Sequence, residues 1–245
     1  MKVRVLHDYE ALSLAAAGEV AAAVRERSDA VLLLPTGSTP LGMYRRLVEM
    51  HRRAGLSFSR TTFFNLDEYL GLPPDHPASY RTYMLKNLYS LIDADPDRIH
   101  FPDGTAPDPE VECERYEAAI RRCGGADLCV LGIGRNGHIG FNEPGAPFNS
   151  RTRVVRLAES TRRVNATDFP SGRVPERAIT AGMATIFESR RILLLASGAD
   201  KARAVAAAVE GSVSETVPAS ILQRHPDATL LLDQEAASGL ASPAA

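Results

Sequence analysis

His138 lies in the stretch GIGRNGHIGFNEPG, residues 132–145, which sets five glycines around one imidazole, with Asn136 before it and Glu143 after it. Glycine gives up more backbone entropy on folding than any other residue, so such a cluster marks tight turns or close backbone approach. Three kinds of role could use it. A metal site needs three or more ligands, and His138 and Glu143 are the only conventional ones nearby, without the H-E-x-x-H spacing. A structural histidine with its hydrogen bonds satisfied is the plain alternative. The third is a proton-shuttling imidazole oriented by a carboxylate, since imidazole titrates near working pH. The placement on a glycine loop straight after an apolar run favours this third role.

Other segments offer partners for such an imidazole. PTGSTP (35–40) places Thr36, Gly37, Ser38 and Thr39 where backbone amides and hydroxyls can cradle an anion at the start of a helix. It lacks the lysine and spacing of a Walker A loop, and a plain N-cap and turn would account for it equally well. SGADKAR (197–203) puts Lys201 at the start of another predicted helix, where a cation opposes the helix dipole. A solvated surface lysine is the ordinary explanation; an anionic ligand facing it is the functional one. NLDEY (65–69) sets Asp67 and Glu68 straight after an apolar strand. Either could be a general base whose pKa is tuned by burial, or both could be acidic residues at a helix or turn start.

The elements that must position these residues follow a recurring order of strand, polar loop and helix. DAVLLL (29–34), TTFFNL (61–66), ADLCVLGI (126–133), RRILLLAS (190–197) and ATLLLD (228–233) are apolar runs without strict alternation, as expected of strands buried on both faces. LGMYRRLVEMHRR carries apolar residues at helical spacing, and GADKARAVAAAVEG reads as a second helix. The pattern predicts an α/β fold: a doubly wound, mostly parallel sheet with helices on both faces. In such sheets ligands sit outside the carboxyl ends of the strands. The polar clusters all follow apolar runs, so one site at those ends could gather them.

Composition narrows the functional classes. The 245 residues are 44% hydrophobic and 24% charged, with a net charge of −2 and no basic footprint for nucleic acid or a membrane surface. The start MKVRVLHDYEALSLAAAG lacks signal-peptide features, and no apolar run approaches the ~20 residues that span a bilayer. Cys113, Cys123 and Cys129 are odd in number and widely spaced, which points to reduced thiols in a cytoplasmic protein. Only three lysines stand against 25 arginines, which singles out Lys201 for attention. No nicotinamide fingerprint is present, and no cofactor is expected.

With these residues assembled, the chain resembles the glucosamine-6-phosphate deaminases, also called glucosamine-6-phosphate isomerases. PTGSTPLGMY, FFNLDEYLGL, HPASY, GIGRNGHIGFNEPG, SRTR and PASILQRHP carry the resemblance along nearly the whole chain. It implies an aldose–ketose isomerisation coupled to deamination, in which glucosamine 6-phosphate and water give fructose 6-phosphate and ammonia. His138 would open the pyranose ring, with Glu143 holding its imidazole and Asn136 completing the group. Asp67, rather than Glu68, would take the C2 proton. Thr36, Gly37, Ser38, Thr39 and Lys201 would hold the phosphate. The partner implied is a small amino sugar phosphate, and a homo-oligomer is compatible with it. The resemblance also implies one domain over 1–245, with a mobile lid around 153–182.

Two departures stand out. Family members often carry a lid arginine where this chain has Thr167, leaving Arg162, Arg163 or Arg173 as substitutes. Allosteric members use basic residues near SRTR and a longer carboxyl-terminal tail. Here Arg151 and Arg153 are present, but DQEAASGLASPAA is small, polar and free of aromatics, which predicts a disordered tail and hyperbolic kinetics.

Overall fold

A computed structural model describes residues 1–169 and 172–241. The first sheet has seven parallel strands: β1 (Lys2–Leu6), β2 (Val31–Leu34), β3 (Thr62–Asn65), β5 (Ile99–His100), β6 (Leu128–Gly132), β9 (Arg191–Ala196) and β10 (Ala228–Asp233). A second, antiparallel sheet holds β4 (Asp67–Tyr69), β7 (Arg153–Arg156) and β8 (Arg177–Thr180) in the order β4-β8-β7. The helices are α1 (Tyr9–Glu26), α2 (Leu41–Ala54), α3 (Tyr80–Asn87), α4 (Pro109–Arg122), α5 (Glu159–Asn165), α6 (Met183–Phe187) and α7 (Ala202–Val209).

The unbroken apolar runs are strands because both of their faces are covered. Leu32 and Leu34 of β2 pack with residues of α1, α2 and α3, while Val31 and Leu33 pack with residues of α4, α6 and α7. The five apolar runs of the sequence are five of the seven parallel strands, each within two residues of its expected bounds. β1, β5 and the whole second sheet were not anticipated. β1 is an edge strand with an alternating charged face, and β5 has only two residues, so neither has an apolar run to announce it.

Strand order is β1-β10-β9-β6-β2-β3-β5. From β2 the chain builds outward through β3 and β5, then returns to build the other way through β6, β9 and β10. The order therefore switches between β2 and β6, and the crevice at such a switch is where open α/β sheets place their ligands. The loops that leave β2 and β6 there are PTGSTP and the glycine-rich stretch.

The tail departs from its expected disorder. Ala236 is fully buried, Leu240 packs on the core, and Ala241 N donates to Glu210 Oε1 at 2.9 Å. Small residues allow this close approach: a Cβ on Gly239 would sit 2.8 Å from the Ala202 carbonyl oxygen. Residues 242–245 of that stretch lie outside the described residues. Among the described residues, no helix is long and apolar enough to cross a membrane.

Candidate active site

The loop after β2 is held by tyrosines. Tyr44 Oη donates to the Pro35 carbonyl at 2.5 Å and Tyr83 Oη to that of Gly37 at 2.5 Å. Tyr9 Oη reaches the Ser38 and Thr39 carbonyls at 3.2 and 3.0 Å and accepts from Gly42 N at 2.8 Å. Gly37 turns at φ +100°, a conformation that side-chain-bearing residues rarely adopt. The expected residues Thr36–Thr39 thus form an ordered loop between β2 and α2.

The glycine-rich loop builds a relay around His138. Its Nδ1 lies 2.7 Å from Asn136 Oδ1, and Asn136 Nδ2 donates to Glu143 Oε2 at 2.7 Å. Nδ1 is 3.5 Å from Glu143 Oε2 itself. Glu143 is thus within reach of the imidazole, as the sequence predicts, and the Asn136 side chain bridges the two groups as well. With Nδ1 donating to Asn136, Nε2 is left to exchange protons. The glycine that matters here is Gly134, since a Cβ there would sit 2.2 Å from His138 Cε1. Burial alone would raise the Glu143 carboxyl, but hydrogen bonds from His138, Thr161 and Asn136 overcome it and hold Glu143 down at about 2.

Asp67 arrives from the second sheet. The chain leaves β3, and Leu66 bridges the two sheets: its N donates to Leu34 O at 3.1 Å and its carbonyl accepts from Ala181 N at 2.7 Å. Asp67 then opens β4, paired with Thr180 of β8. NLDEY is therefore a strand, not a helix or turn start. Thr180 Oγ1 accepts from Phe141 N at 3.1 Å, which pins the glycine-rich loop beside Asp67. A Cβ at Gly140 would lie 3.5 Å from Asp67 Oδ2, so this carboxyl sits against the same loop that carries His138. Burial, with the Glu68 charge adding to it, pushes Asp67 up to about 8.

Glu68 is occupied elsewhere. Its carboxylate accepts from the amides of Tyr69, Tyr80 and Arg81 at 2.9–3.1 Å and so caps α3. That physical division separates two adjacent acids that the sequence alone could not rank.

Lys201 ends a 3-10 turn, Ala199–Lys201, rather than lying in the first turn of the helix, and α7 begins at Ala202. Asp233 at the end of β10 orders this loop, accepting from Ser197 Oγ at 2.5 Å and Gly198 N at 3.1 Å. Lys201 Nζ is 3.8 Å from Asp200 Oδ2, the oxygen that takes Arg135 Nε at 2.8 Å. Burial and the neighbouring Arg135 charge hold the Lys201 ammonium below the usual lysine range despite Asp200. An anion placed here would offset both effects. The loops after β2, β6 and β9 leave three successive neighbours in the sheet, with strands about 4.8 Å apart.

The arginines considered as lid substitutes make varied contacts. Arg162 donates to Val174 O at 3.4 Å, Arg163 pairs with Glu159, and Arg173, like Thr167, is exposed and has an interaction of its own. Thr161 and Asn165 of α5, which no sequence motif signalled, both reach the site. Among the described residues, no three His, Cys, Asp or Glu side chains group as a metal site.

The chain matches the family described as glucosamine-6-phosphate isomerases/6-phosphogluconolactonase over residues 8–231, and it belongs to that family. It is 52% identical to a glucosamine-6-phosphate deaminase of Bacillus velezensis over 98% of this chain and 100% of the relative. Glucosamine-6-phosphate deaminase 1 of Bacillus subtilis is also 52% identical, over 97% of this chain and 99% of the relative. A solved monomeric glucosamine-6-phosphate deaminase superposes with a TM-score of 0.96 at 52% identity, covering 98% of this chain and all of the other. A 6-phosphogluconolactonase from Trypanosoma brucei shares the fold, with a TM-score of 0.78 at 22% identity over 98% of each chain.

Proposed function

We propose that this member of the family converts glucosamine 6-phosphate and water into fructose 6-phosphate and ammonia, with Asp67 and the His138 relay as its catalytic centre. The observation that carries the reading is that Asp67, on β4, lies against the glycine-rich loop that carries His138. Asp67 Oδ2 lies 3.5 Å from where a Gly140 side chain would begin, two residues from His138. Deaminating relatives at 52% identity over almost the full chain support the same reading.

The chemistry follows from the groups present. His138 Nε2 moves a proton between the ring oxygen and the anomeric oxygen, opening the pyranose to the aldehyde. Asn136 fixes the tautomer, and Glu143 stabilises the imidazolium that forms, as a carboxylate does in a catalytic triad. The aldehyde acidifies the C2–H bond. Asp67 takes that proton while the C2 ammonium gives one of its own to O1, forming an enolamine, and Asp67 then returns its proton to C1. The resulting C2 imine adds water, and the C2–N bond breaks to release ammonia.

A base pushed up to about 8 is mostly protonated in the empty site at neutral pH. The substrate's C2 ammonium supplies the positive charge that draws it back towards the ionised form. The PTGSTP loop and Lys201 hold the phosphate, whose binding energy orients the reacting carbons.

The part of 153–182 between β7 and β8 serves as the lid, since β8 itself is hydrogen-bonded to the strand carrying Asp67. Pro170 and Ser171 of that segment lie outside the described residues. The cysteines are unpaired, and burial pushes Cys113 up to about 12 and raises Cys129 as well, which suits inert thiols in a reducing cytoplasm.

Ammonia release measured on glucosamine 6-phosphate, on its galactosamine epimer and on gluconolactone 6-phosphate tests the reading. Turnover of the first is expected. Hydrolysis of the lactone with no ammonia from either amino sugar would overturn it.

A further inference from the structure

Helix α5 meets the site twice along one face. Thr161 Oγ1 donates to Glu143 Oε1 at 2.5 Å, and Asn165 Nδ2 donates to Tyr69 Oη at 2.7 Å. Residues four apart in a helix lie one above the other, so both contacts leave the same side of α5. The first contact completes a carboxylate. Glu143 Oε2 is taken by Asn136, and Thr161 takes the other oxygen, so the group is held at both ends. Removing Thr161 would leave a half-buried carboxylate free to turn about its last bond, and Asn136 and the imidazole would lose their fixed reference.

The second contact leads to the other end of the substrate site. Tyr69 Oη also accepts from Tyr80 Oη at 3.1 Å, and the Tyr80 hydroxyl interacts with the Thr36 side chain in the loop after β2. One helix face thus touches the group that handles the sugar's ring protons and, through two tyrosines, the loop that receives its phosphate.

We infer that Thr161 is a positioning residue of the reaction: by holding Glu143 it fixes Asn136 and His138, so the ring-opening relay is complete only while α5 is seated. This rests on the proposed role of His138 in ring opening. Asn165 gives the same helix a second anchor through its hydrogen bond to Tyr69.

The test compares Thr161→Val, which keeps the shape and removes the donor, with Thr161→Ser, which restores a hydroxyl. Ammonia release by the unaltered protein comes first; its absence would sink the functional reading and leave Thr161 aside. Given that activity, Thr161→Val is expected to lower kcat roughly tenfold to a hundredfold, the usual worth of a hydrogen bond to a charged group. Inhibition by an open-chain amino polyol phosphate should stay unchanged, because that ligand needs no ring opening.

Thr161→Ser should recover most of the loss. Equal losses in both variants together with weaker inhibitor binding, or an unchanged kcat in Thr161→Val, would reduce Thr161 to a packing role.

Discussion

Two carboxyls share this site and are driven in opposite directions. Asp67 stands where the chain crosses from the parallel sheet into the small antiparallel one, and burial beside Glu68 pushes it up to about 8. Glu143 stands on the glycine-rich loop, also partly buried, and donors from Asn136, Thr161 and His138 bring it down to about 2. Burial acts on both in the same sense. What differs is the supply of hydrogen bonds: a loop and a helix aim three donors at Glu143. A proton carrier and a permanent negative charge are thereby made from nearly the same functional group.

Replacing Asp67 should break the comparison most severely. Asp67→Asn keeps the shape but cannot accept a proton, and losses of about 10²–10⁴-fold are typical when a general base is removed. Deuterium wash-in at the sugar carbon reads the step directly. Near-normal exchange would move the base elsewhere, with Glu68 the next candidate despite its duty at the start of α3.

Glu143→Gln should cost less, because the side chain keeps its size while losing its charge and one of its two acceptors, the amide nitrogen then facing Asn136 or Thr161. Turnover of the cyclic substrate is expected to fall roughly tenfold to a hundredfold, as for loss of a charge-assisted hydrogen bond. Binding of the open-chain polyol phosphate should barely change. Equal damage to both would show that Glu143 organises the whole pocket rather than the ring-opening group.

The smallest effects concern stability, and their signs are opposed. The folded-state pKa of Asp67 lies above its unfolded value of 3.8, so its contribution is full below that value and is lost as pH rises towards about 8. Asp67→Asn escapes this loss, and its Tm should overtake that of the unaltered protein as pH rises through this window. Glu143 is depressed from 4.5 to about 2, so its contribution is present above 4.5 and is lost as pH falls towards 2. Glu143→Gln should therefore fall furthest below the unaltered protein near neutral pH and converge with it in acid. Shifts of about 2–4 °C accompany each kcal/mol in a chain of this size. Melting curves across pH that run parallel for all three proteins would contradict both assignments.

Much of this was legible in the sequence, for a definite reason. DAVLLL, ADLCVLGI and RRILLLAS announce central strands because both their faces are buried, and the polar residues that follow must emerge at the carboxyl ends. TTFFNL does the same for Asp67 and Glu68, so these acids and His138 could be placed at strand ends from the sequence, whereas the choice of Asp67 and the roles of Asn136 and Glu143 came from the family resemblance. The second sheet could not. β4 has three residues and β7 four, and each is held by antiparallel pairing with β8 rather than announced by an apolar run. Thr161 and Asn165 were silent as well, since a threonine and an asparagine in a short helix look like ordinary surface residues until their partners are known. The interposed Asn136 was beyond reach too: sequence places it near His138 and Glu143 but not between them.

The tyrosines behind the PTGSTP loop have a consequence for how an anion would be held there. Three hydroxyls turn the loop's carbonyls back into the protein, and each hydrogen bond occupies the negative end of a peptide dipole. The positive ends remain to meet a ligand. A phosphate gripped chiefly by such dipoles, with one ammonium nearby, feels forces that fade within a few ångströms. Mobile ions screen long-range attraction between charges far more than contact with fixed dipoles. Affinity built this way would hold nearly level as salt varies, whereas a cradle of arginines would loosen.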